Sequence, residues 1–195
     1  CGVWSAGQYQ RQGRESTLLA TAVYVLCVMA GLLLLMLVYL LCIMIVGRMP
    51  PLYFLRNARD VMLLALSTSS SAAVMPLTLR TTENKLGVRS GIARFVIPLG
   101  TTINMAGTAL YQGVATLFLA QVFKVDIGTS GMILVVVMAT GASIGTPGTP
   151  GVGIVILATI LESVGIPASG VALIMGVDRI LDMCRTVTNV AGDLV

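Results

Sequence analysis

The sequence predicts an all-α membrane protein: an inverted repeat of a re-entrant helical hairpin plus an interrupted transmembrane helix, preceded by one spanning helix. Three observations predict it. The chain of 195 residues is 56% hydrophobic and only 10% charged, against roughly one quarter charged in a water-facing domain. Leu18 to Val46 carries no charge, and about 20 apolar residues suffice to cross a bilayer. Later apolar stretches are broken at their middles by Ser, Gly and Pro, which do not suit the interior of a continuous helix.

Residues 1–16 are polar and read as the end of a loop. A spanning helix follows from about Thr17 to Gly47, closed by Pro50-Pro51, and an amphipathic cytoplasmic linker completes a unit over 17–59. Val61 to Leu79 is interrupted by Ser67-Thr68-Ser69-Ser70-Ser71. Arms of about 9 to 10 residues, at about 1.5 Å each, fall short of the roughly 30 Å hydrocarbon core. Arg48, Arg56, Arg59, Arg80, Lys85, Arg89 and Arg94 flank this segment on both sides. By the positive-inside rule both flanks are cytoplasmic, so the segment reads as a re-entrant hairpin. Ile92 to Phe123 is a spanning segment with its own interruption at Asn104 to Thr108, and it completes a unit over 60–123. The unit 124–195 holds a second hairpin, broken by the Gly- and Pro-rich "SIGTPGTPGVG", and a last helix from about Ala168. Paired interrupted segments in corresponding positions point to a binding site at an inverted repeat.

The Leu18 to Val46 run is too long for a signal peptide and lacks a small-residue cleavage site. With Cys at position 1 and an end just after a polar cluster, the chain reads as a piece of a longer protein. The four cysteines include no Cys-x-x-Cys pair, and there is no His. The commonest metal ligand and general base is therefore missing, and the chain reads as a protein that is not an enzyme. The serine run has no nearby base to activate it. Asp193 in "AGD" lacks the partner aspartate on a neighbouring helix that an intramembrane protease needs. Nucleic-acid binding fits poorly, because the basic residues sit at helix ends without aromatic partners.

The charge that remains is concentrated in "DRILDMCRTVTNVAGD", residues 178–193. At about 100° per residue, Asp178, Asp182, Arg185, Asn189 and Asp193 fall within an arc of roughly 80°. Each central charge costs about 2.5 to 3.5 kcal/mol to insert, so this face looks at protein, water or a polar ligand. A plain Asp182–Arg185 pair tying helices together would account for two charges and leave Asn189 and Asp193 without a role. A ligand carrying both signs accounts for more. Arg185 offers a planar fork for a carboxylate, Asp182 an acceptor for an ammonium, and Asp178 a group to orient the arginine. Asp193 and Asn189 supply hard oxygens for a small cation, and hairpin tips add free backbone groups.

"STSSSAAVMP", "PLGTTINMAGTALYQG", "ASIGTPGTPG" and "DRILDMCRTVTNVAGD", in that order, resemble the dicarboxylate/amino acid:cation symporter family, the bacterial and eukaryotic glutamate transporters. The resemblance runs from about Thr21 to Asp193. It implies an elevator-type secondary transporter in the plasma (inner) membrane, multi-pass, and homotrimeric in full length through scaffold helices without counterpart here. This chain is then the mobile transport domain. Carried over by motif, Arg185 matches the ligand of the substrate side-chain carboxylate and Asp182 that of its amino group. Asn189, Thr186, Thr108 and Ser71 match further substrate contacts, with backbone help from Ser69 and from Thr149 to Gly153. Asp193 and the carbonyls of Gly100, Asn104 and Asn189 resemble one sodium site. The carbonyls of Thr102, Ser143, Ile144 and Thr146, with Met105 nearby, resemble a second.

Asp182 with Arg185 implies glutamate or aspartate as substrate, driven by Na⁺. The alternatives are a sodium- or proton-coupled C4-dicarboxylate carrier, an anion channel, or a transport domain inactive without its scaffold. One departure concerns the ions: where the family has Asn-Met-Asp-Gly, residue 106 is Ala. Ala106 removes a hard oxygen from a further sodium site, which puts the ion count in question and leaves room for H⁺. Cys184 stands where Gly or Ser is usual, a local packing variation.

Overall fold

A computed structural model describes residues 3–145 and 147–195, with residues 3–17 as backbone only. The described residues form α1 (Val3–Ile45), α2 (Pro51–Thr68), α3 (Ser71–Asn84), α4 (Ser90–Ile103), α5 (Ala106–Phe123), α6 (Gly128–Ser143) and α7 (Val152–Ser163). A 3-10 turn (Ala168–Leu173) and α8 (Met175–Leu194) follow, and no strand occurs among them. Leu18–Ile45 and Ser90–Phe123 are long and apolar enough to cross a membrane. Leucines of α1 such as Leu33, Leu34 and Leu37 lie exposed, as do Phe95 and Val136. A continuous apolar exterior of this kind belongs against lipid.

The polar segment 3–16, expected as a loop, is helical and continues into the span. Its polarity marks residues outside the hydrocarbon, but Gln, Arg and Glu are good helix formers and nothing there stops the helix. The linker expected to reach residue 59 is likewise helix. Pro51 starts α2 at a position that needs no N–H donor, and Phe54, Ala58, Val61 and Ala65 form its buried stripe. The arms of the first pair are therefore 18 and 14 residues, longer than the sequence suggested. The last helix begins at Met175 rather than Ala168, because Pro167 and the packing of Gly170 against Phe123 hold residues 168–173 in a tighter turn.

Helix α2 stops at Ser69, whose φ of 51° puts a non-glycine residue in the left-handed region. Ser70 then caps α3 by accepting from the Ala73 amide at 3.2 Å. The two helices turn back on each other: Lys85, after α3, donates to Asp60 of α2 at 2.9 Å, and Tyr53 donates to the Lys85 carbonyl at 3.3 Å. The Lys85 contact holds the exposed Asp60 carboxyl below the usual carboxylate range, and the Ser90 hydroxyl does the same for Glu83. Helices α4 and α5 would be one span but for Asn104 and Met105, with helix resuming at Ala106. Helix α6 ends at Ser143 and α7 starts after Gly151, at φ 80°.

Helix α8 is the hub, in contact with α1, α2, α3, α4 and α5. One core packs α1, α5, α7 and α8 around Tyr111, Leu119, Leu157 and Leu181. A second packs α1, α2, α3 and α8 around Phe54, Val61, Val74 and Val190. Between them lies the polar face of α8. Phe54 is fully buried, whereas Leu63 on the same helix is 58% exposed. Phe54→Ala should therefore cost about 3 kcal/mol. The measurement is thermal unfolding in detergent, where Phe54→Ala melts well below the native chain and Leu63→Ala close to it.

Candidate functional site

The Asp178, Asp182, Arg185 and Asn189 side chains of α8 are buried, and Asp193 is half-buried. Arg185 is 3% exposed and folds back on Asp182, with Nη2 at 2.8 Å and Nε at 3.0 Å from the same carboxylate oxygen. The second Asp182 oxygen accepts from the Gly151 amide at 3.1 Å, at the start of α7. Nη1 of Arg185 is buried without a hydrogen-bond partner among the described residues, and so is the Ser69 hydroxyl. Gly153 lies so close to the guanidinium that a Cβ there would overlap it.

Asp178, expected to orient the arginine, has its own partner on α5. It accepts from the Tyr111 hydroxyl at 2.6 Å, and the Tyr111 ring lies under the guanidinium, 4.5 Å from ring centre to carbon. The guanidinium over the ring is a cation–π contact. Tyr111 escaped the sequence reading because it sits in an apolar run. The signal was its spacing: Thr108, Tyr111 and Gln112 fall at i, i+3 and i+4 of α5. Gln112, fully buried, reaches the Gly153 carbonyl at 3.5 Å.

Asn189 ties the polar face of α8 to the break between α4 and α5. Its amide donates to the Thr108 hydroxyl at 3.0 Å and approaches the Met105 sulfur at 3.3 Å, while its oxygen accepts from the Gly107 amide at 2.8 Å. Thr186 donates to the Asp182 carbonyl at 2.7 Å. A cavity of about 20 Å³ is lined by Ser69, Ser71, Met105, Thr108, Thr149, Gly153, Asp182, Arg185, Thr186 and Asn189 among others. That is room for about one water. All nine residues expected to hold substrate line it.

The two helix pairs meet at this cavity. Ser70 donates to the Gly148 carbonyl at 2.6 Å, and the Ala72 amide donates to the same oxygen at 3.3 Å. A Cβ on Gly148 would overlap Ser71. Deeper along α8, one oxygen of Asp193 accepts from the Asn104 amide at 3.2 Å and the other from Thr101 at 3.5 Å. A Cβ on Gly100 would stand 2.9 Å from Asp193. The Gly145 amide donates to the Thr102 carbonyl at 2.9 Å, bringing the end of α6 to the end of α4. Ser143 is buried and Ile144 exposed; Thr146 lies outside the described residues. The end of α4 lies beside Asp193: the Gly100 carbonyl accepts from the Asn104 amide at 2.7 Å and the Ile103 carbonyl from the Met105 amide at 3.0 Å.

A buried polar site at which helix ends meet, inside a shell whose exterior is apolar, marks an integral membrane protein. The model of the sodium:dicarboxylate symporter family matches residues 5–195, and the chain belongs to that family. Excitatory amino acid transporter 1 of Rattus norvegicus is 43% identical over 173 residues, covering 88% of this chain and 32% of the relative. Excitatory amino acid transporter 3 of Oryctolagus cuniculus is 47% identical over 149 residues, covering 76% and 28%. The chain thus spans about a third, 32%, of the length of the first of these relatives.

The buried Asp178 carboxylate accepts from the Tyr111 hydroxyl. Tyr111→Phe should keep the ring under Arg185 while leaving that carboxylate short of a donor. The expected loss is about 1 to 3 kcal/mol, read as a fall in the unfolding temperature of the purified chain.

Proposed function

We propose that this chain is the transport domain of a sodium-driven symporter for acidic amino acids, glutamate or aspartate, working by an elevator mechanism. The observation that carries this reading is Arg185: buried, paired with Asp182, and with one guanidinium nitrogen unpartnered at the cavity wall. An amino acid with a side-chain carboxylate satisfies both partners. Its carboxylate takes the fork of Arg185 in bidentate fashion, and its ammonium replaces the arginine on Asp182. The pair that closes the site is thereby exchanged for two ligand contacts without stranding a buried charge.

The remaining polar groups have places in this scheme. Ser69, Ser71, Thr108, Thr149 and the backbone near Gly153 bind the main-chain carboxylate, and Thr186 and Asn189 complete the pocket. A cavity of about 20 Å³ is far smaller than such a ligand, so entry requires the Ser70–Gly148 contact to part. We read α2–α3 and α6–α7 as the two re-entrant hairpins of an inverted repeat, the first followed by the interrupted α4–α5 and the second by the polar α8. Their tip-to-tip meeting at the cavity supports this. Sodium is the driving ion, one held by Asp193 with the carbonyls of Gly100, Asn104 and Asn189. A second is held by the carbonyls of Thr102, Ser143, Ile144 and Thr146 beside Met105. Ala106 offers no oxygen side chain for a third, and H⁺ is the alternative partner in coupling. The full-length protein would work as a homotrimer in the plasma (inner) membrane.

Isothermal titration of L-aspartate at several sodium concentrations, with choline as control, tests the reading. Affinity should rise with sodium; binding indifferent to sodium would discard sodium coupling, and an absence of binding by both this chain and the full-length protein would discard the carrier. Arg185→Cys should cost acidic substrates at least 100-fold in affinity, about 3 kcal/mol for a buried charged contact. Unchanged aspartate affinity would refute the carboxylate role. Asp182→Ser should weaken aspartate while sparing succinate, and equal losses for the two would refute the ammonium role.

A further inference from the structure

We propose that the side-chain amide of Asn104 is a built-in stand-in for the coupled cation, and that Tyr39 of α1 is the positioning residue that holds it in place. This rests on the reading that Asp193 and neighbouring carbonyls take sodium. The Asn104 nitrogen Nδ2 donates to Asp193 at 3.2 Å and lies 3.5 Å from the Asn189 carbonyl. Both acceptors belong to the oxygen set assigned to one sodium ion. An amide NH₂ carries partial positive charge, so it supplies, between these oxygens, a weaker version of what the ion supplies. Sodium and this NH₂ compete for the same lone pairs, and the amide must move aside when the ion enters.

The orientation of the amide is determined by its surroundings. A carboxylate and a carbonyl accept only, so they demand the NH₂ end. The oxygen end is left to the Tyr39 hydroxyl, which donates to Asn104 Oδ1 at 3.4 Å. Tyr39 is half-buried, on the face of α1 turned to this break. Gly192 makes the arrangement possible: a Cβ there would stand 2.5 Å from Asn104 Nδ2 and 2.8 Å from the Tyr39 hydroxyl. Three elements therefore converge on one amide: α1 through Tyr39, the α4–α5 break through Asn104, and α8 through Gly192 and Asp193. The site remains satisfied while the ion is elsewhere, and Tyr39 sets how firmly the stand-in competes.

The test is the sodium concentration that half-saturates the response of L-aspartate affinity, compared between the native chain and Tyr39→Phe. Loss of one hydrogen bond holding the competitor should lower it about fivefold, the equivalent of about 1 kcal/mol. A residue that merely supports the fold would raise it when changed. An unchanged or raised value overturns this inference alone, while a native chain indifferent to sodium overturns both it and the reading it rests on. A measurement on the native chain serves if Tyr39→Phe does not fold. The ¹⁵N resonance of the Asn104 side-chain amide should shift with sodium chloride and not with choline chloride; a signal that sodium leaves in place overturns the proposal.

Discussion

The buried pairing of Asp182 with Arg185 is the constraint around which the rest of the molecule is arranged. Taking two charges out of water is expensive, and their mutual attraction repays it only where further hydrogen bonds satisfy what the pair leaves open. The structure provides these from separate elements. The α7 start gives an amide to Asp182, and α5 slides an aromatic ring under the guanidinium. Asp178 anchors that ring by its hydroxyl, one turn before Asp182 on the same helix. A hydrophobic pair of similar volume would cost less.

Interruptions in the helices follow from the same economy of polar groups. Every helix end inside an apolar shell leaves unpartnered N–H and C=O groups, and lipid offers nothing to satisfy them. Here the ends are brought to one another. The end of α2 and start of α3 meet the loop between α6 and α7, the end of α4 meets the end of α6, and α8 gives polar side chains to the start of α7 and to the α4–α5 break. The end of α4 beside Asp193 follows the same principle, its carbonyls taken up by the amides of Asn104, Met105 and Gly145.

Much of this was legible in the chain. The charged face of α8 is readable because a helix period turns five scattered residues into one stripe. The breaks are readable because Ser, Gly and Pro cluster where apolar helices would otherwise run on. What the sequence concealed depends on tertiary placement. Residues 51–60 look like a linker by charge, yet the spacing of Phe54, Ala58, Val61 and Ala65 builds a helix against α8. Asp178 shares the stripe with Arg185, but an aromatic residue from another helix intervenes between them, and no local pattern announces a cross-helix partner. The 3-10 turn before α8 depends on the close fit of Gly170 to Phe123, which the order of residues does not reveal.

The glycines around the site have an energetic meaning of their own. Gly100, Gly107, Gly148, Gly153 and Gly192 each stand where a methyl group would collide with a neighbour, most often a polar side chain. Each missing carbon also forfeits about 0.8 kcal/mol of the burial energy that a buried methylene contributes. The seam between the helix tips is accordingly held by oriented dipoles, with little greasy surface hidden when it shuts. Water can replace such contacts almost one for one as the seam unzips. Apolar cores lie to either side, and the polar seam between the helix tips lies at the cavity.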